Sequence, residues 1–187
     1  GRSEEVLGSW IARSGRRDAI TVATKVAGAN HGVLKNGPRV DAEQIRSAVE
    51  RSLKRLRTDR IDLYQLHWPD RGSYHFRQSW TYDPSGQDRA ATLEGIEMQL
   101  DTFAALIAEG KIRSFGLSNE TAWGVATWAR LADARGLPRV AAVQNEYSLL
   151  YRTYDLDLAE AMHHEDVALL AYSPLAAGLL TGKYLGG

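Results

Sequence analysis

Apolar, β-branched runs alternate with stretches of helical periodicity along the whole chain, and each run ends on a polar or aromatic group. Together these two observations predict an α/β chain whose parallel strands belong to a (β/α) barrel. Strand–helix alternation requires parallel strands joined by right-handed crossovers. The strand ends then separate two architectures. An open doubly wound sheet gathers its ligand groups at one switch point, whereas in a barrel every strand's C-terminal end faces the same mouth. Here Lys25 ends the first strand, His67 the second, Ser118-Asn119 the third, Gln144-Asn145 the fourth and Tyr172-Ser173 the fifth. Functional groups on five consecutive strands favour the barrel.

The elements follow in order. "GRSEEVLGSWIARSG" places Val6, Leu7, Trp10 and Ile11 on one face of a helix, with Gly15 as its stop. "AITVATKV", residues 19–26, is rich in β-branched residues and reads as a buried strand. A loop containing Gly28, Gly32, Gly37 and Pro38 comes next. Asp41 caps a helix in which Ile45, Val49, Leu53 and Leu56 recur at helical spacing, with Gln44 placed for a capping box. "IDLYQLHW", residues 61–68, is the second strand.

A polar loop with interspersed aromatics runs from Pro69 to about Arg89, roughly 20 residues where 4–6 are usual. Tyr74, Phe76, Trp80 and Tyr82 within it either shape a pocket or lie in solvent. A helix with Ile96, Leu100, Phe103 and Ile107 follows, ended by Gly110. "RSFGLSN" is a strand, residues 121–135 a helix carrying Trp123, Trp128 and Leu131, and "VAAVQNEYS" a strand. Residues 156–165 form a helix, and "VALLAYSPL" the last strand.

Composition sets outer bounds. The 187 residues are 44% hydrophobic and 25% charged, enough for one domain with its own core. Lys+Arg and Asp+Glu both number 23, so nothing in the charge balance points to nucleic acid or an anionic membrane as partner. The absence of cysteine excludes disulfides and thiolate chemistry, and fits a reducing compartment. No apolar run approaches the roughly 18 residues of a membrane span. The expectation is a soluble, cytoplasmic protein.

Individual candidates carry competing readings. His67 either points into the mouth, with Trp68-Pro69 opening the loop above it, or is a core histidine bonded to backbone; the matching ends of the other strands favour the first. Lys25 is unusual in a buried strand. It is a rim lysine reaching water, a Schiff-base nucleophile, or a cation that tunes a neighbouring acid. "GLLTGK", residues 178–183, is one residue too short for a Walker A loop and has Tyr184 where Ser or Thr belongs, but can form a backbone phosphate cradle. His163-His164-Glu165-Asp166 reads as a solvated helix end, since adjacent helical residues diverge. There is no GxGxxG.

The motifs "GRSEEVLG", "ATKV", "SLKRLRTDRIDLYQLHWPD", "GKIRSFGLSNE", "VQNEYSLL" and "LLAYSPLAAGLLTGKY" resemble, in family order, those of the aldo/keto reductases, in particular the bacterial Tas-type branch. The resemblance implies a (β/α)8 TIM barrel, present here as about five of its eight strands, the third to the seventh. It further implies NADP(H)-dependent reduction of aldehydes and ketones, with a small-molecule carbonyl substrate. By the same resemblance Lys25 and His67 match catalytic positions. Ser118, Asn119 and Gln144 match residues that hold the nicotinamide carboxamide, and Tyr172 the aromatic that stacks on its ring. Ser173, Pro174, Leu175, Ala176, Ala177 and Lys183 match the pyrophosphate segment.

The family's catalytic Asp and Tyr belong on or just after the strand preceding "GRSEE", and none of the eight tyrosines here occupies that place. The expectation is therefore a single barrel domain over residues 1–187 that lacks two strands before residue 1 and one after residue 187, together with the segment that binds the 2′-phosphate. On that expectation residues 1–187 alone reduce carbonyls negligibly and expose two sheet edges. Two alternatives stay open: a non-catalytic nicotinamide-binding regulatory protein, and a Schiff-base lyase using Lys25.

Overall fold

The computed structural model describes residues 1–27, 40–76 and 78–185. The loop of Gly28, Gly32, Gly37 and Pro38 lies outside the described residues. Five helices are described: α1 (Arg2–Ser14), α2 (Ala42–Leu56), α3 (Arg89–Ala108), α4 (Ala122–Arg135) and α5 (Leu158–His164). The described strands are β1 (Ala23–Val26), β2 (Ile61–Leu66), β3 (Ile112–Ser118), β4 (Ala142–Glu146) and β5 (Ala168–Tyr172). They form one parallel sheet in the order β1-β2-β3-β4-β5. A doubly wound sheet must reverse its order at a switch point. This one adds each strand beyond the last, which is barrel winding.

Local chemistry sets the ends of the elements. Asp41 accepts a 2.7 Å bond from the Gln44 amide and caps α2, as the capping-box spacing requires. Only that half of the box forms, because the buried Gln44 Oε1 has no hydrogen-bond partner. Asp88 and Thr121 cap α3 and α4 in the same way. Gly15 and Gly110, with φ of 64° and 72°, stop the chain where a side chain would be strained.

The first strand is shorter than its composition suggests. Residues Arg17–Ala19 form a 3-10 turn, and the Val22 amide donates to the Asp62 carboxylate at 2.8 Å, so pairing starts at Ala23. Asp62 is in turn ion-paired to Arg17 at 2.8 Å.

The core lies between the sheet and the helices. Phe115 of β3 stacks on Phe103 of α3 with centroids 4.8 Å apart, and both rings meet Trp128 of α4. Such pairs contribute about 0.5–1.5 kcal/mol each beyond the area they bury. Ile45, Val49, Leu53 and Leu56 of α2 are buried as their spacing predicts. In α1 the outcome is mixed: Ile11 is buried, but Val6 and Trp10 of the predicted face are exposed. The helix instead presses Gly8 onto α2, where a Cβ would collide with the Arg55 carbonyl and come within 2.8 Å of Leu56 backbone. Glu4 fastens the same contact, accepting from Thr24 at 2.7 Å and Arg55 at 2.5 Å.

Candidate functional site

The two faces of the sheet follow from register. Phe115 faces the helices, so Gly116 and Ser118 face the other way. Gly116 pairs with Gln65, and Gln65 with Lys25; Ser118 pairs with Gln144, and Gln144 with Leu170. His67 lies two residues beyond Gln65 and continues the ladder through its amide, 3.0 Å from the Val26 carbonyl. Tyr172, opposite Glu146, lies on the same face. Lys25, His67, Ser118, Gln144 and Tyr172 therefore share the face turned away from the helices, at the C-terminal ends of the strands. This is the arrangement expected of groups at a barrel mouth.

Within that face the environments differ. Lys25 is half-buried, and the loss of water pushes its pKa below the ordinary lysine value. Gln65, missed by the sequence reading, is fully buried beside it. Its Nε2 donates to the Leu117 carbonyl at 3.3 Å, and its Oε1 has no hydrogen-bond partner. The signal for it was a polar residue at inward parity in an otherwise apolar strand. His67 is half-buried, its ring 4.3 Å from that of Trp68. Tyr172 is 52% exposed.

Ser118 and Asn119 are tied to neighbouring strand ends. The Ser118 hydroxyl donates to the Gln144 carbonyl at 2.7 Å, and Asn119 Nδ2 to the His67 carbonyl at 2.8 Å. Asn119 is left-handed, with φ 55°, and its amide donates to the Gln144 carbonyl at 3.1 Å. This single turn thus joins the ends of β2, β3 and β4. With its nitrogen occupied, the Asn119 side chain offers Oδ1 as an acceptor.

Ser173, Pro174, Leu175, Ala176 and Ala177 follow β5, and Ala176–Thr181 is a kinked 3-10 segment. Ser173, Ala176, Ala177 and Gly178 all have positive φ, from 49° to 99°. The run is closed by its own backbone: the Ala176 amide donates to the Ser173 carbonyl at 2.8 Å and the Gly178 amide to the Leu175 carbonyl at 2.9 Å. Lys183 folds back over it: its ammonium would lie 2.9 Å from a Cβ on Gly178, and it sits 4.8 Å from the Tyr184 ring centroid. These residues flank the shared sheet face without belonging to it.

The long loop divides. Tyr74 and Tyr82 line a cavity of about 440 Å³ with Arg71 and Trp123, on the flank formed by the loop and the first turn of α4. Phe76 and Trp80 are exposed. Trp123 is 45% exposed, and the Arg71 guanidinium lies 4.9 Å from its ring centroid.

A model of the aldo/keto reductase family matches residues 1–187. The chain belongs to the aldo/keto reductase family. It is 44% identical over 193 residues to Protein tas of Escherichia coli (strain K12), which covers 100% of this chain and 54% of that protein. It is 40% identical to an aldo-keto reductase of Babesia bovis, over 89% of this chain and 61% of that protein. To human aflatoxin B1 aldehyde reductase member 4 it is 34% identical, over 98% of this chain and 48% of that protein. The chain thus spans between about half and three-fifths of the length of these relatives. As a member of this family its sheet is part of a (β/α)8 barrel. Among the described residues no helix is long and apolar enough to cross a membrane.

Proposed function

We propose that the protein carrying these residues is an NADP(H)-dependent oxidoreductase that reduces aldehydes and ketones to alcohols. The observation that carries the reading is the shared sheet face, on which Lys25, His67, Ser118, Gln144 and Tyr172 stand at neighbouring strand ends in one family-ordered set. The residues fit a nicotinamide dinucleotide in two respects. Asn119 Oδ1 and Gln144 offer hydrogen-bonding groups at one turn, and the Lys183 ammonium beside the left-handed run of Ala176, Ala177 and Gly178 offers a charge to a pyrophosphate.

When bound, the nicotinamide supplies the hydride that reaches the carbonyl carbon. The chain's own residues orient and polarise. Ser118, Asn119 and Gln144 hold the carboxamide, and the exposed ring of Tyr172 is a stacking platform. His67 donates a hydrogen bond to the carbonyl oxygen, where negative charge develops; losing one such donor typically costs about 10²–10³ in rate. Lys25 is the ammonium that lowers the pKa of a neighbouring acid and eases proton delivery to the alkoxide. Its own lowered pKa agrees with a position where a charge is poorly solvated and therefore acts strongly on a neighbour.

The test uses the protein as encoded, with 4-nitrobenzaldehyde as substrate and NADPH oxidation as readout. Lys25→Met and His67→Leu should each lower kcat/KM by about 10²–10³ while leaving the fold intact by circular dichroism. Turnover by both variants at the native rate, or no NADPH binding by the native protein, would reject the assignment.

A further inference from the structure

We propose that Arg71 and Glu120 are positioning residues for this site, a buried ion pair that clamps the 69–89 loop to the turn following β3 and so holds Asn119 and His67 in place. The inference rests on the cofactor reading above and extends it to residues that no family motif assigns to the cofactor.

The observations converge on one peptide unit. Glu120 is 2% exposed and the Arg71 side chain 6%, so the pair is out of water. Arg71 reaches both carboxylate oxygens, Nη2 to Oε1 and Nη1 to Oε2, the latter at 3.2 Å, and also donates to Thr121 Oγ1 at 3.1 Å. The Thr121 amide donates to the same carboxylate at 2.7 Å. The backbone of Glu120 is held just as fully. Its amide donates to Asn145 Oδ1 at 3.1 Å, and its carbonyl accepts from Asn145 Nδ2 at 2.8 Å. His75 Nε2 lies 3.0 Å from that carbonyl.

One residue earlier, the Ser73 hydroxyl donates to the Asn119 carbonyl at 3.1 Å. The loop thus grips the turn at three consecutive groups: the Asn119 carbonyl, the Glu120 carbonyl and the Glu120 carboxylate. Asn119 then grips β2 through the His67 carbonyl.

This arrangement explains two costs the fold accepts. A left-handed Asn persists only where its surroundings over-determine it. A buried ion pair is weak evidence for stability, because desolvation offsets its Coulombic gain, but removing one partner strands the other charge. A device that adds little stability yet fixes geometry at a strand end is suited to positioning.

The experiment compares Glu120→Gln with Arg17→Met in the protein as encoded. Arg17 forms another well-buried pair, with Asp62 at the opposite end of β2, and serves as a control for stability alone. Both variants should lower the melting temperature. Glu120→Gln should weaken NADPH binding at least tenfold, measured by fluorescence titration below both melting points, and should speed exchange of the Asn119 and His67 amides at least tenfold. Arg17→Met should change neither by more than twofold. Glu120→Asp, which keeps the carboxylate, should recover part of the affinity.

Native-like affinity and native-like exchange in Glu120→Gln would overturn the proposal, as would equal losses in Arg17→Met. If the native protein fails to bind NADPH, the cofactor reading falls by itself. Amide exchange still decides whether the clamp positions the turn.

Discussion

Gly124 stands in the first turn of α4, against the Arg71–Glu120 pair. A Cβ built there would collide with the Glu120 carboxylate and come within 2.5 Å of Arg71 Nη2. Its φ is not positive, so the requirement for glycine comes from space rather than backbone conformation. Gly124→Ala therefore sets two effects against each other. Alanine gains up to about 1 kcal/mol in helix propensity. Dislodging one side of a buried ion pair costs about 3–5 kcal/mol, because the stranded charge finds no water.

The net loss is about 2–4 kcal/mol, and for a chain of this size each kcal/mol moves the melting temperature by about 2–4 °C, giving a fall of roughly 4–16 °C. Gly95, in the middle of α3, provides the internal control: a Cβ there has nothing within 4 Å. Gly95→Ala should raise the melting temperature, since propensity acts alone. Calorimetric melts of both variants check the pair. A Gly124→Ala protein as stable as the native one would mean that the carboxylate and guanidinium move aside without loss, and the argument for a rigid clamp would fail.

Two further predictions concern pH. Burial by itself would raise the pKa of Glu4, but hydrogen bonds from the Gly1 nitrogen, Thr24, Arg55 and Ser52 outweigh it and hold the group at about 2, below its ordinary 4.5. A depressed folded-state pKa stabilises above the unfolded value and loses that contribution as pH falls toward the folded one. The difference in urea midpoint between the native protein and Glu4→Gln should accordingly be full at neutral pH and shrink from pH 4.5 toward 2; a constant gap would contradict it. Lys25 gives a dependence of the same sign in an alkaline window. Burial lowers its pKa, so the unfolded chain binds more protons just below the ordinary 10.5, and stability from this residue rises as pH climbs toward that value. Lys25→Met should remove that rise, and an identical slope in native and variant proteins would show that the ammonium is fully solvated.

The order of elements was legible because hydrophobic period is a local property: α2 buries every residue its spacing names, and α3 buries Ile96, Leu100 and Phe103 and partly covers Ile107. The inward face of the sheet was legible for a related reason. Alternation along a strand is rigid, so once His67 is inward, Gln65 must be too. What failed depended on contacts distant in sequence. The Val22 amide leaves the sheet for Asp62, 40 residues away, and this shortens β1. Arg71 and His75 gave no local signal at all, since their partners at Glu120 lie 49 and 45 residues off.

The same distinction bears on how the site works as a structure. Residues on the inward face are set by strand parity and need no further support to point inward. Asn119 is different: it follows the last residue of β3, has a left-handed backbone, and owes its orientation to bonds from two strand ends and the loop. A parallel sheet alone cannot hold such a residue, because the ladder ends before it. The loop from Pro69 is therefore more than a cover over the mouth. Through Ser73, His75 and Arg71 it completes a part of the candidate site that the strands leave undetermined. It follows that substitutions in this loop should be read out first in the geometry at Asn119 and only secondarily in the shape of a pocket.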